Sequence, residues 1–158
     1  LFAKKTGASV EAEIGSMGAR EGGGGNDESI YTDPDAAVTF VNDTGIDALA
    51  CAFGTAHGFY KEAPKLDFER LAKIHSMVKV PIVMHGGSGV SEEGFKAAIT
   101  GGIRKINYYS YMSKAGYEAA KAEIEAGNSK YLHDVEFAAM KAMKEDVKRA
   151  IRVFANLK

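Results

Sequence analysis

A chain of 158 residues is long enough for one ordinary domain, and 46% hydrophobic content with a net charge of −1 describes a soluble globular protein without the basic excess that nucleic-acid binding calls for. The single cysteine, Cys51, excludes an internal disulfide framework and fits a reducing compartment, so a cytoplasmic setting is expected. No apolar run approaches the roughly 20 residues that a membrane span requires, so no membrane partner is expected.

The opening Leu-Phe-Ala-Lys-Lys-Thr-Gly does not begin with Met and lacks the apolar core of a signal peptide. It reads as the last turn of a helix stopped at Gly7, an interior point of a longer protein. From Ala8 to Ile14 apolar residues alternate with Ser9, Glu11 and Glu13, the period of a strand with one apolar face and one carrying two carboxylates. Gly15 to Ser29 has six glycines and no periodicity, which predicts a long loop of the kind that serves as a lid. Asp33-Pro34 starts a helix that runs through Thr44 to a stop at Gly45, and Asp47 to Phe53 is an apolar strand. Leu66 to Val78 is amphipathic and leads through Pro81 into the strand 80–84, which ends at His85-Gly-Gly-Ser-Gly. Ser91 caps the next helix, with Gly94 where a capping box has Glu, and Gly101-Gly102 leads into the strand Ile103 to Tyr108. Helices over Ser110 to Glu125 and Asp134 to Ala155 complete the chain, separated by Gly127-Asn128.

Strands alternating with helices imply a parallel sheet. Four such strands form either a small open sheet or half of an eight-stranded barrel. The barrel is favoured because Glu13, His57, His85 and Asn107 all fall at C-terminal strand ends, where barrel enzymes keep their sites. The expected fold class is therefore α/β, the C-terminal half of a TIM (β/α)8 barrel with extra C-terminal helices. Residues 1–109 hold strands 5 to 8, and 110–158 hold helices that cover the barrel and form the oligomer contact. A complete barrel takes about 250 residues, so the first four strands are expected outside this chain.

Glu11 and Glu13 share a strand face, and a carboxylate on the inner face of a barrel needs a cation. Lys105 has the parity of Asn107, so an inner-face pair between Glu11 and Lys105 is expected, whereas Glu13, nearer the strand end, is placed to meet a metal. The plainer reading makes both glutamates structural ion-pair partners. Either His57 or His85 alone is an ordinary polar loop residue. As a pair at equivalent ends of successive strands, with glycines beside each, they can share one divalent ion. His75 and His133 lie on helices and read as surface. Gly86, Gly87, Ser88 and Gly89 form a turn before a helix N-terminus, a setting that favours an anion, and Asn107 and Ser110 end the following strand.

Together VEAEIG (10–15), YTDPDAA (31–37), GTAHGFY (54–60), LDFERL (66–71), PIVMHGGSG (81–89) and KIN (105–107) resemble, in the same order, the blocks of the class II fructose-bisphosphate and tagatose-bisphosphate aldolases. The resemblance covers residues 7–109 and implies the C-terminal half of such an enzyme. It implies a zinc ion bound by three histidines, of which His57 and His85 match two and the third falls in the other half. Glu13 matches a carboxylate that can contact the metal. Glu21 matches a loop glutamate in proton transfer, although the family has two adjacent glutamates there and this chain has Arg20-Glu21. Gly58, Gly86, Ser88, Asn107 and Ser110 would surround the phosphate of dihydroxyacetone phosphate, with carbonyls near Gly58 and Gly86 able to hold a monovalent cation.

The activity so implied is reversible cleavage of a ketose 1,6-bisphosphate, fructose 1,6-bisphosphate first, to dihydroxyacetone phosphate and an aldehyde such as glyceraldehyde 3-phosphate. Zinc would stabilise the enediolate. The family's general base, an aspartate, also belongs to the other half. A Schiff base is set aside, because it needs a lysine near the site, the strands 8–14, 47–53 and 80–84 contain none, and Lys105 lies deeper than Asn107. Where fructose-bisphosphate aldolases read Asn-Ile-Asp-Thr-Asp, this chain reads Asn107-Tyr108-Tyr109-Ser110-Tyr111, which bears on the choice between fructose, tagatose and related sugars. The other readings are a non-catalytic half-barrel fragment and a phosphate-binding module. The family relation and the long terminal helices imply a homodimer or higher homo-oligomer, and the 158 residues alone are expected to be inactive.

Overall fold

The computed structural model describes residues 2–15, 31–55, 64–87 and 89–156. They run in the order α1 (Phe2–Thr6), β1 (Glu11–Ile14), α2 (Pro34–Thr44), β2 (Ala48–Cys51), α3 (Phe68–Met77), β3 (Ile82–Met84), α4 (Glu92–Thr100), β4 (Ile103–Ile106), α5 (Ser110–Glu125) and α6 (Leu132–Phe154). The chain divides into two compact units, Leu1–Asn107 and Tyr108–Lys158.

In the first unit the four strands pair in parallel and in chain order, β1-β2-β3-β4, with a helix between each β2, β3 and β4 and its predecessor. This is the alternation expected for half of a (β/α)8 barrel. Leu49, Ile82 and Ile103 stand in register on one face, and Leu71 and Ile74 of α3 are buried with them; each is at most 1% exposed. Burying side chains of this size stabilises by roughly 1.5–3 kcal/mol apiece, so this layer is the main adhesive of the unit.

Helix starts are set by side chains that accept otherwise unpaired N–H groups. Asp33 Oδ1 accepts from Ala36 N at 2.9 Å, Asp67 Oδ1 from Arg70 N at 2.8 Å and Ser91 Oγ from Gly94 N at 3.1 Å. Gly94 has a packing reason as well, since a Cβ there would lie 2.8 Å from Val90 Cγ1. Gly45 ends α2 at φ 63°, a conformation that costs a glycine little.

The strands are shorter than the alternation suggests. β1 begins at Glu11 because the Val10 carbonyl already accepts from Asp47 N and Ala48 N, while Val10 N donates to Asp47 Oδ2 at 2.7 Å. β3 begins after Pro81, which has no N–H to give to a ladder. The last strand stops at Ile106, although Asn107 N still donates to Met84 O at 2.9 Å. Conversely, α6 starts at Leu132, ahead of Asp134, whose carboxylate reaches back to the backbone N–H groups of Lys130 and Tyr131 at 3.0 and 3.1 Å.

The second unit is the helix pair α5 and α6, joined through Gly127 at φ 68°. Gly116 sits where a Cβ would lie 2.7 Å from Met143 Cγ, so its lack of a side chain lets the helices approach. Tyr108 precedes α5 and donates to Asp146 Oδ2 at 2.8 Å, with its ring edge-on to Phe154 at 5.9 Å. No helix among the described residues is long and apolar enough to cross a membrane.

Candidate active site

The strand register determines which side chains reach the site. Glu13 pairs with Ala50, Ala50 with Val83 and Val83 with Lys105, so these four form one row across the sheet. The row exists only because the ladder slips between β3 and β4: Ile82 pairs with Ile103, yet Val83 pairs with Lys105, leaving Arg104 as the extra residue. Without the slip, alternation would turn Lys105 and Asn107 toward the helices; with it, both join the face that carries Glu11 and Glu13.

On that face a polar chain runs between the outer strands. Asn107 Oδ1 accepts from Lys105 Nζ at 2.6 Å. The same ammonium lies 3.0 Å from Glu11 Oε2 and 3.3 Å from Glu11 Oε1, which is the Glu11–Lys105 pair expected from parity. Glu11 Oε1 is also 3.1 Å from His85 Nε2, and Glu13 Oε2 is 2.9 Å from His85 Nδ1. His85 is thus held edge-on between two carboxylates, with 15% of its side chain exposed.

Burial works against ionisation of Glu11, but the hydrogen bonds and charges of Lys105 and His85 outweigh it and hold the carboxyl below its ordinary value. Cys51, at the end of β2, goes the other way: burial and then the charge of Glu13 push its thiol up to about 12. The residue is only 1% exposed, so Cys51 belongs to the core.

His85 and Glu13 bring a nitrogen and an oxygen donor side by side, the ligand types that zinc takes, and so they fit as two members of a metal site. Among the described residues no group of three His, Cys, Asp or Glu is arranged to hold an ion. His57, Gly58, Ser88 and Glu21 lie outside the described residues. Gly54 follows β2 at φ 112°, and a Cβ there would overlap Lys65 O, so the backbone leaving β2 and the backbone entering α3 touch at the strand end. Gly86 and Gly89, on either side of Ser88, have φ of 66° and 95°. Gly87 is packed so closely that a Cβ would lie 3.2 Å from Ile106 Cγ2 and 3.3 Å from Asn107 O, which seats the turn against the end of β4. Ser110 opens α5 in the second unit. His75 and His133 are exposed on their helices.

Sequence reasoning missed Thr32. Its hydroxyl donates to Ile14 O at 2.7 Å and accepts from Ala52 N at 2.8 Å, and its own N–H donates to Ala52 O at 2.8 Å. One buried side chain therefore ties the C-terminal ends of β1 and β2 together. The signal available was its place just before the Asp33-Pro34 helix start, where a threonine reads as ordinary loop.

A family model described as fructose-bisphosphate aldolase class-II matches residues 1–157. Among solved structures, the chain is similar to the YdjI aldolase of Escherichia coli K12, with 38% identity and a TM-score of 0.80 over 97% of this chain and 52% of that one. It is also similar in fold to the fructose-bisphosphate aldolase Fba of Campylobacter jejuni, with 23% identity and a TM-score of 0.75 over 98% of this chain and 53% of that one. The chain spans about half the length of these solved relatives.

Proposed function

Because the chain belongs to the class II fructose-bisphosphate aldolase family, we propose that it supplies half of the active site of a zinc-dependent aldolase. Its substrate would be a ketose 1,6-bisphosphate, fructose 1,6-bisphosphate first, cleaved reversibly to dihydroxyacetone phosphate and an aldehyde such as glyceraldehyde 3-phosphate. The observation that supports this most is the meeting of His85, Glu13 and Asn107 on one face at the C-terminal edge of a parallel sheet, where barrel enzymes act.

Zinc, when bound, supplies Lewis acidity toward a ketone oxygen. His85 and Glu13 would hold it together with His57 and a third histidine from the other half of the enzyme. Glu11 takes no part in that set; it holds the Nε2 side of the His85 ring and so sets the ring's orientation. Asn107 and Ser110, with the backbone at Gly58, Gly86 and Ser88, would bind the phosphorylated three-carbon unit, the turn's N–H groups and the start of α4 favouring an anion. Carbonyls near Gly58 and Gly86 would take a monovalent cation. Glu21 would carry the proton to and from the carbon that reacts. The enzyme is read as a cytoplasmic homodimer or higher homo-oligomer.

Replacing either histidine tests the reading in the full-length enzyme. His57→Ala and His85→Ala should each lose tight zinc binding and cleavage activity together, because the remaining donors no longer complete a site. Wild-type zinc content and cleavage in both variants would contradict it.

A further inference from the structure

Lysine carries three donors and no acceptor, so the atom of the Asn107 amide that meets Lys105 Nζ at 2.6 Å is the carbonyl oxygen. That assignment settles which hand the amide shows: its NH2 points away from the ammonium, and among the described residues no acceptor meets it. An amide free to turn over would present oxygen or nitrogen to a ligand indifferently. Here the turn would place NH2 against an ammonium, donor against donor. The ammonium is itself held, since Glu11 grips it with both oxygens at 3.0 and 3.3 Å and is fixed in turn by His85.

A structural ion pair alone does not account for the arrangement. The ion pair is already made by Glu11 at 3.0 Å and does not need the amide of Asn107. The contact to Asn107 is shorter than either contact to Glu11, and both Lys105 and Asn107 reach this face only through the ladder slip between β3 and β4.

We infer that Lys105, anchored by Glu11, is a positioning residue that locks the Asn107 side-chain amide with its NH2 toward the substrate, so that Asn107 recognises an acceptor oxygen. The inference rests on the reading of Asn107 as a substrate contact. It adds the reason that contact has one polarity: an oxygen of a phosphate, alkoxide or carbonyl is accepted, and a hydroxyl can bind there only through its lone pairs.

The test uses the full-length enzyme with Lys105→Met, which keeps an unbranched side chain and removes the donor, and Lys105→Arg, which restores one. Nuclear magnetic resonance of the side-chain amides locates the Asn107 NH2 pair by its absence from Asn107→Asp. The pair should shift in Lys105→Met and return toward its wild-type position in Lys105→Arg. Dihydroxyacetone phosphate, titrated by calorimetry, should bind about tenfold more weakly to Lys105→Met, the loss of one well-oriented hydrogen bond, with zinc content unchanged. Adding Asn107→Ala to Lys105→Met should cost nothing further beyond Asn107→Ala alone. Where Lys105→Met does not fold, Glu11→Gln loosens the same ammonium and should move the same resonance. An unmoved amide pair, additive losses in the double variant, or loss of zinc in Lys105→Met would overturn the inference. Failure of the wild-type enzyme to bind dihydroxyacetone phosphate, with the amide pair still shifting in Lys105→Met, would sink the proposed substrate and leave the positioning role standing.

Discussion

Thr32 shows how much one hydroxyl can organise. It is 1% exposed, and its Oγ1 serves one strand as donor and the next as acceptor. Thr32→Val keeps the shape and leaves the Ile14 carbonyl and the Ala52 N–H without that partner, so it should destabilise the protein by about 1–3 kcal/mol in denaturant unfolding. An unchanged midpoint would mean that neither bond matters. Glu11 makes a second prediction at this scale. Its carboxyl is opposed by burial but held below the ordinary value of 4.5 by Lys105 and His85, so the unfolded chain takes up the proton first as pH falls. The stability Glu11 contributes is therefore complete above about pH 4.5 and is lost as pH drops through the lowered folded value. Thermal unfolding of wild type and Glu11→Gln should show a gap at neutral pH that closes in acid; a gap that widens in acid would reverse the sign. Residues of this kind divide sharply in what the sequence discloses. The Glu11–Lys105 pair followed from shared parity once Asn107 was taken to face the site, whereas Thr32 was not legible, because its three bonds go to strands 18 and 20 residues away and leave no local pattern.

At the scale of elements, the caps were the most readable feature. Asp33, Pro34, Gly45 and Ser91 act where their chemistry places them, since capping depends on neighbours within three or four residues. Ser91→Ala should cost about 0.5–2 kcal/mol by freeing the Gly94 N–H at the start of α4. Circular dichroism melts of the variant would show it, and a melt identical to wild type would mean that water replaces the cap at no cost. Strand ends were less readable. Asp47 and Pro81 shorten β1 and β3 through a side chain and a missing N–H, and the slip that skips Arg104 depends on the partner strand. Periodicity within β4 gives Lys105 and Asn107 a shared parity but does not say to which face. That face is decided by Val83 across the ladder.

At the scale of the molecule, the alternation of strands and helices was enough to anticipate a parallel half-barrel, and the family match and solved relatives agree. Of the site residues expected from the sequence, Glu13, His85 and Asn107 share one face among the described residues, whereas His57, Gly58, Ser88 and Glu21 lie outside them. The described strands leave β1 and β4 each paired on one side only, and an open edge of this kind invites another chain. As half of an aldolase site, the chain is expected not to act alone. The deciding assay is fructose 1,6-bisphosphate cleavage by the purified 158-residue chain, with zinc added and with its size measured in the same buffer. No cleavage is expected from the chain alone, and cleavage is expected once the N-terminal half of the enzyme is supplied; cleavage by a monomer of the 158 residues would show that the half-site reading is wrong.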